Sequence, residues 1–439
     1  MFEESVEEKV QEILTLAVGL HQRDRLEEAE ELYRRVLDLV PRHSGALHFF
    51  GVLQHQKGDS ATAILLIRQA LKFDPQYHDA RVNLGNVLKE DGQFEDAETE
   101  YRKVVKAQGN NAIAYNNLGV VLKAQGKFDD AATAFELATQ LSPQNADVFQ
   151  NLGNAFKASG RIEDALTAYR QSLEIDPGRC DSHLSLGRAL YAFGRIDEAL
   201  GVYKKWLELE PDNPVALHMF NACDGAHVPD RCSDDFVKQT FDSFARSFDE
   251  VLERLDYHAP ELVSEAVTRL STGKDGLTVL DAGCGTGLCG KFLRAQAQRL
   301  VGIDLSPKMI DQARIAGHYD ELVVGELTEY MQSQPGMFDL LVSADTLVYF
   351  GALKQVFRVA FETLKDNGLF VFTLEKGEGD MPKNGFMLNP HGRYSHWHKH
   401  ATQLLLAEGF RVERSETVVL RREVRQPVAG LLFAVRKPS

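Results

Sequence analysis

Small residues return every 34 positions along the first half of this chain. Ala29, Ala63, Ala97, Ala131, Ala165 and Ala199 share one register, and Gly51, Gly85, Gly119, Gly153 and Gly187 share a second. Gly58, Gly92, Gly126, Gly160 and Gly194 hold a third, and Pro41, Pro75, Pro143, Pro177 and Pro211 a fourth, with Gly109 standing in once. A fixed period of this length means one helical unit used repeatedly, each copy burying its apolar face against the next. Within a unit the first glycine and the alanine let two amphipathic helices cross closely. The second glycine makes the turn, and the proline follows the second helix. The first unit departs, with Ala17 at the packing glycine and Asp24 at the turn glycine, as suits a terminal cap.

This register resembles six tetratricopeptide repeats over residues 1–222, and the resemblance implies an α solenoid, a TPR superhelix whose concave face is lined by the first helix of each unit. Asn83, Asn117 and Asn151 recur there at the 34-residue step, each before Leu-Gly, and Asn86 and Asn154 lie one turn further on. An asparagine amide both donates and accepts, so a row of them suits the backbone of an extended peptide. The phrase resembles the asparagine ladder in the repeat domain of O-linked N-acetylglucosamine transferase, and a protein or peptide partner is expected on these five residues. Phe49 and Ser185 interrupt the row, and solvated asparagines tolerated on a helix face account equally for the pattern.

A different signal opens the second half. The apolar run Leu277 to Leu280 ends in Asp281-Ala282-Gly283-Cys284-Gly285-Thr286-Gly287, a helix-length segment follows, and Leu300-Val301-Gly302-Ile303 ends in Asp304. Apolar run, glycine turn and acid describe a βαβ nucleotide cradle, in which a ligand lies almost on the backbone and a helix N-terminus offers N–H groups. The dinucleotide fingerprint wants a third glycine where this chain has Leu288, which weakens a pyrophosphate reading.

With Gly325-Glu326-Leu327, the run Phe338 to Asp345, and Leu364-Lys365-Asp366-Asn367-Gly368 before the strand 369–374, the segment from about residue 239 to 439 resembles a class I S-adenosylmethionine-dependent methyltransferase. The resemblance implies an α/β Rossmann-like domain with a mostly parallel seven-stranded sheet and an antiparallel C-terminal strand, formed by 410–420 and 429–435 joined by a charged turn. It also implies roles for single residues. Gly283, Gly285 and Gly287 would leave room for the methionine and ribose portions of the cofactor S-adenosyl-L-methionine, and Asp281 would act near its amino group. Asp304 would take the ribose diol, Glu326 the adenine amino group, and Asp345 would stand between donor and acceptor.

Methyl transfer asks mainly for positioning, and a base is needed only where the acceptor must lose a proton. Candidates for that work are His396 and Tyr394, with Asp345, the first two lying in a loop running into a helix for which Ser395 is a plausible N-cap. Arg393 beside them could orient an acceptor oxygen or carboxylate. Histidines at a helix start with no chemical part fit the same stretch, and His396 with His400 invites a metal reading that no acidic or cysteine cluster supports. No metal is expected. Upstream, Phe236, Phe241, Phe244 and Phe248 fall mostly on one helix face, followed by Tyr257; they read as core, or as a segment that covers the cofactor in a group of bacterial methyltransferases carrying these repeats, with Phe244 and Tyr257 as lid residues.

Between the halves, 224–230 reads as a linker, which places a repeat domain at 1–222, a junction at 223–238 and a catalytic domain at 239–439. A net charge of −15 disfavours nucleic acid as a partner. The acidic start, residues 1–8, is unlike a signal peptide, and no apolar run reaches the length of a membrane span, so a cytoplasmic location is expected. Five cysteines with no CxxC pair suggest reduced thiols. The expected activity is methyl transfer to an O or N acceptor that the repeats recruit. The alternatives are a repeat scaffold with a non-catalytic nucleoside-binding domain, and a small-molecule methyltransferase that its repeats tether to a complex.

Overall fold

The computed structural model describes residues 6–271, 276–423 and 426–439. The start of the acidic N-terminal segment (1–5) and the charged turn expected between the last two strands (424–425) lie outside them. The chain divides into two compact units, residues 1–189 and 190–439.

In the first unit, helices run in antiparallel pairs: Val6–His21 with Leu26–Leu39, Ser44–Gln56 with Ser60–Phe73, His78–Glu90 with Phe94–Ala107, Ala112–Ala124 with Phe128–Leu141, and Ala146–Ser159 with Ile162–Ile175. The reason for the glycine register is visible in the crossings. A Cβ on Gly85, Gly119 or Gly153 would stand 2.6, 2.7 or 2.5 Å from the ring of Tyr101, Phe135 or Tyr169, the buried residue 16 positions on. Turn residues Gly58, Gly92, Gly126 and Gly160 adopt φ between +76° and +90°, and Asp24 in the first unit holds the same left-handed conformation at φ +60°. Aspartate tolerates that region better than most side chains, which is why the capping unit can dispense with glycine.

The second unit begins in the last helices of the repeat register, Ile196–Leu209 and Pro214–Asp224, and builds one sheet. Its strands are β1 (Leu277–Ala282), β2 (Ala297–Asp304), β3 (Glu321–Val324), β4 (Phe338–Ser343), β5 (Leu364–Lys376), β6 (Phe386–Leu388), β7 (Tyr394–His396), β8 (Arg411–Glu423) and β9 (Gln426–Arg436). Strands β3-β2-β1-β4-β5 are parallel, β9 pairs antiparallel with β5, and β8 pairs antiparallel with β9, which gives the seven strands expected with β9 as the reversed C-terminal strand. The short hairpin β6–β7 adds two more at the end of β5, where Glu375 pairs with Ser395. Ser395 therefore lies in a strand, and Trp397 occupies the N-cap of helix His398–Ala407, a correction to the expected cap.

Period-two alternation sends Val279, Leu300, Leu340, Val342 and Val371 to one face, under Val263, Ala266 and Val267 of helix Ala259–Leu270. Leu280, Val301, Ile303, Leu341, Phe370 and Phe372 face the other side, under Phe357 and Ala360 of Lys354–Thr363 and Leu405 of His398–Ala407. Burial on both faces leaves the carboxyl ends of the parallel strands as the open edge, where ligands of such sheets bind. The stretch read as a linker is pinned there: the Asp230 carbonyl accepts from Gly351 N and Ala352 N at 2.8 Å, and Cys232 N donates to the Tyr349 carbonyl at 2.9 Å.

A methyl group added at a repeat crossing must displace a ring that is itself tied down, since Tyr101 donates its hydroxyl to Asn86 Oδ1 at 2.7 Å. Gly85→Ala is expected to destabilise the array by about 1–3 kcal/mol, read as a lower urea midpoint, and an unchanged midpoint would refute the close-crossing argument.

Candidate active site

Two backbone ties shape the glycine turn. Gly283 N and Cys284 N both donate to the Ile303 carbonyl, at 2.8 and 2.9 Å, and Gly285 N donates to Asp304 Oδ2 at 2.9 Å. Gly283, Gly285 and Gly287 adopt φ of +82°, +55° and +97°. At Gly283 a Cβ would also fall 2.3 Å from the Thr346 side chain, so the turn is pressed against the loop after β4. Only Gly290–Leu293 is helical after the turn, where a full helix was expected. Helix-terminus attraction for an anion is correspondingly small, and several of the N–H groups it would offer are used within the turn.

Asp281, 1% exposed at the end of β1, accepts from the Tyr319 hydroxyl at 2.7 Å through Oδ2, while Oδ1 is buried with no hydrogen-bond partner. Burial pushes its carboxyl up to about 7, and the Tyr319 hydrogen bond only partly offsets this. Asp304, closing β2, accepts from Ser306 N at 2.9 Å through Oδ1; burial raises it as well, against the pull of its backbone donors. Glu326 caps helix Leu327–Gln332, accepting from Glu329 N at 2.8 Å through Oε2. Its Oε1 is buried, has no hydrogen bond, and lies 3.5 Å from Arg231 Nη1.

Asp345, just beyond β4, sits at φ +55°, a conformation rare for a residue with a side chain and often found at functional sites. Arg421 Nη1 donates to its Oδ2 at 2.8 Å, and its Oδ1 is buried without a partner. Arg421, 3% exposed on β8, also donates to Glu375 Oε2 at 2.7 Å and to Glu423 Oε1 at 2.8 Å. Arg393 bridges the same two glutamates, at 3.0 and 2.7 Å, and His391 Nε2 lies 3.1 Å from Glu375 Oε1. Burial alone would raise Glu375, but His391, Arg393 and Arg421 hold it well below the usual carboxylate range. For Asp345 the balance falls the other way: burial outweighs Arg421 and Arg393, and its carboxyl is raised.

The helical segment Asp234–Phe244 and Phe248–Arg254 is fastened to the turns after β1 and β2. Thr286 Oγ1 donates to Asp249 Oδ1 at 2.5 Å, and Ser306 Oγ donates to Asp242. Phe244 packs on Phe241 and Phe248 with centroids 5.6 Å from each, and Phe241 meets Tyr349 edge-on at 5.4 Å. Tyr257 is half-buried among Asp345, Cys289, Arg421 and Tyr349, and burial keeps its phenol protonated.

Tyr394 and His396 are placed differently from the acceptor-facing role expected of them. Tyr394 is 0% exposed and donates its hydroxyl to the Pro229 carbonyl at 2.7 Å. His396 is 1% exposed, with Nε2 3.2 Å from the Gly351 carbonyl, and burial lowers it to about 4. Tyr394 thus holds the junction segment and His396 the loop after β4, and neither is placed as a base must be, within reach of a proton on an acceptor. Among the described residues no group of three or more histidine, cysteine or acidic side chains could hold a metal ion, and no helix is long and apolar enough to cross a membrane.

On the repeats, the asparagine row is knitted to itself. Asn117 Nδ2 donates to Asn86 Oδ1 at 3.0 Å, Asn151 Nδ2 to Asn116 Oδ1 at 3.2 Å, and Asn83 Nδ2 lies 2.8 Å from His48 Nε2. Asn154 accepts from Tyr169 at 2.9 Å. Sequence reasoning passed over Tyr319, Thr346, Glu375 and Arg421, and took Asp242 and Asp249 only as part of the segment that resembles a cofactor cover. Only Arg421 left a trace, as a cation directly after the apolar run Val418-Val419-Leu420.

Residues 280–372 match the family model of a methyltransferase domain, and residues 14–78, 82–146 and 151–214 match that of a tetratricopeptide repeat. The chain is 34% identical over 110 residues to methyltransferase-like protein 27 of Homo sapiens, covering 24% of this chain and 45% of that protein. It is 40% identical over 65 residues to the 18S rRNA (guanine-N(7))-methyltransferase of Bos taurus, covering 15% and 23%. With the malonyl-[acyl-carrier protein] O-methyltransferase of Priestia megaterium it shares 27% identity over 167 residues, covering 36% and 56%. It thus spans between 23 and 56% of the length of these relatives. Among solved structures, PilF of Pseudomonas aeruginosa is similar at 20% identity and TM-score 0.43, covering 50% of this chain and 99% of that one. YrrB, a repeat protein with an unusual peptide-binding site, is similar at 24% identity and TM-score 0.36, covering 41% and 96%. The chain is a tetratricopeptide-repeat array fused to a class I methyltransferase domain.

The Asp281 carboxyl ionises near 7 when folded and near about 4 when unfolded. Between those values the folded state holds a proton that the unfolded state has released, so its contribution to stability falls as pH rises through the window. Asp281→Asn removes that ionisation. Its melting temperature is expected to gain on the native chain progressively from about pH 4 to about pH 7 and to level off above that, and a pH-independent difference would show that Asp281 titrates normally.

Proposed function

We propose that this protein transfers the methyl group of S-adenosylmethionine to an acceptor that its repeat array recruits, as a protein, a peptide or a carrier-bound group. One observation carries the reading: a buried carboxylate oxygen, Asp281 Oδ1, lacks a donor beside a turn of three left-handed glycines. A buried acceptor without a partner is costly, and an α-ammonium group is a donor of matching charge. The other residues fit the same ligand. Asp304 keeps a second lone pair on each oxygen for a ribose diol, and Glu326 Oε1, the oxygen not used in capping, is available to an adenine amino group. S-adenosylmethionine, when bound, supplies an already activated methyl group, which leaves alignment and exclusion of water to the chain. Asp345 stands at the acceptor side, while Phe244 on the fastened helical segment and Tyr257 just after it cover the site.

The recruiting face rests on the asparagines. Each amide has two hydrogens and two lone pairs, and the bonds that knit Asn83, Asn117 and Asn151 into the row engage only part of that capacity. A partner with an extended backbone matches what remains, with Asn86 and Asn154 fixed behind the row by Tyr101 and Tyr169.

Calorimetric titration of the full chain with S-adenosylhomocysteine tests the donor site. Binding is expected, weakened about 10- to 100-fold by Asp304→Ala, and a correctly folded protein without affinity would remove the enzymatic reading. For the array, methyl label is expected to reach a protein or carrier fraction of a cell extract. The triple change of Asn83, Asn117 and Asn151 to alanine should cut that labelling, and an undiminished yield would mean the face does not recruit.

A further inference from the structure

We infer that the methyl acceptor is an amine, received by Asp345 Oδ1. The inference rests on the methyltransferase reading above and names its substrate class.

Beyond the ends of β4 and β5, three carboxylates (Asp345, Glu375, Glu423) face two guanidiniums (Arg393, Arg421), an excess of one negative charge before His391 is counted. Each guanidinium already bridges two or three of those carboxylates. Within this set only Asp345 Oδ1 is a buried oxygen with no partner, because Arg421 holds the other oxygen and fixes the carboxylate plane. Among the described residues neither Tyr257 nor Tyr349 has a hydrogen bond to its hydroxyl, and both phenols lie in the field of Asp345. A buried carboxylate oxygen without a partner, in a cluster with an excess of negative charge, asks for a donor carrying positive charge.

Competing acceptor classes fit poorly. A carboxylate would meet the Asp345 oxygen head-on and would have to displace Glu375 or Glu423 from guanidiniums they already bridge. An aliphatic hydroxyl must give up its proton to a far stronger base than a carboxylate, even one raised by burial. An amine needs to lose only one proton to free its lone pair: the bound ammonium passes that proton to Asp345 Oδ1, the freed nitrogen attacks the methyl carbon, the carbon–sulfur bond breaks with its electron pair staying on sulfur, and the product leaves as the methylated ammonium. Arg421 is a positioning residue in this scheme, since it turns Asp345 without touching the acceptor.

The test uses the full chain saturated with S-adenosylhomocysteine, titrated calorimetrically with three probes of one shape: benzylammonium, benzyl alcohol and benzoate. Benzylammonium is expected to bind about tenfold more tightly than either of the others, and Asp345→Asn should abolish that preference. If benzylammonium does not bind, or if benzoate or benzyl alcohol binds as tightly in the unaltered chain, the inference is overturned whatever the variant does. Failure of S-adenosylhomocysteine itself to bind is a separate result, which strikes the methyltransferase reading.

Discussion

The catalytic half is organised by a single carboxylate-to-backbone contact, the hydrogen bond from Gly285 N to Asp304. It joins the turn after β1 to the end of β2, and with the two bonds to the Ile303 carbonyl it holds the glycines in left-handed conformations that no flexible loop would keep. Thr346 presses on the same turn from β4, and Tyr319 fills the space beside Gly287 and Gly290 while reaching Asp281. Three neighbouring strands thus determine the shape of one seven-residue segment. The carboxylates around it can be buried because each has at least one committed donor.

Electrostatics divides these carboxylates into two kinds. Glu375 and Glu423 are enclosed by arginine and held low, and they serve as ballast for Arg393 and Arg421. Asp281, Asp304 and Asp345 are raised by burial, and both Asp281 and Asp345 keep one oxygen without a partner. A protein bears the cost of an unmatched buried oxygen where a ligand will complete it. The helical segment 234–254 belongs to the same scheme: Asp242 and Asp249 take hydroxyl donors from the turns after β2 and β1, so these helices are tied to the loops around the glycine turn.

Much of this was legible in the sequence. The 34-residue register located the helix pairs, and alternating apolar residues located the parallel strands, because both follow from local periodicity. Asp281, Asp304, Asp345 and the glycine turn were legible as well, since strand ends announce themselves where an apolar run stops. Two readings failed for one shared reason. Ser395 joined a strand, and Tyr394 with His396 went into the interior, because the pinned segment around Pro229 to Cys232 and the β6–β7 hairpin claim that space. No local pattern in the chain records that claim.

What the sequence settled by itself is the architecture: a solenoid of helix pairs, then a doubly wound sheet with acids at the ends of its strands. Those features repeat with the period of a helix or a strand, and a period can be read without knowing what lies across from it. Tertiary structure alone decided which polar atoms were left over. Arg421 on β8 meets Asp345 beyond β4 across 76 positions of chain, and Tyr319 meets Asp281 across 38. Whether a buried oxygen is satisfied depends on partners that distant, and so the chemistry of the site emerges only once the sheet has closed.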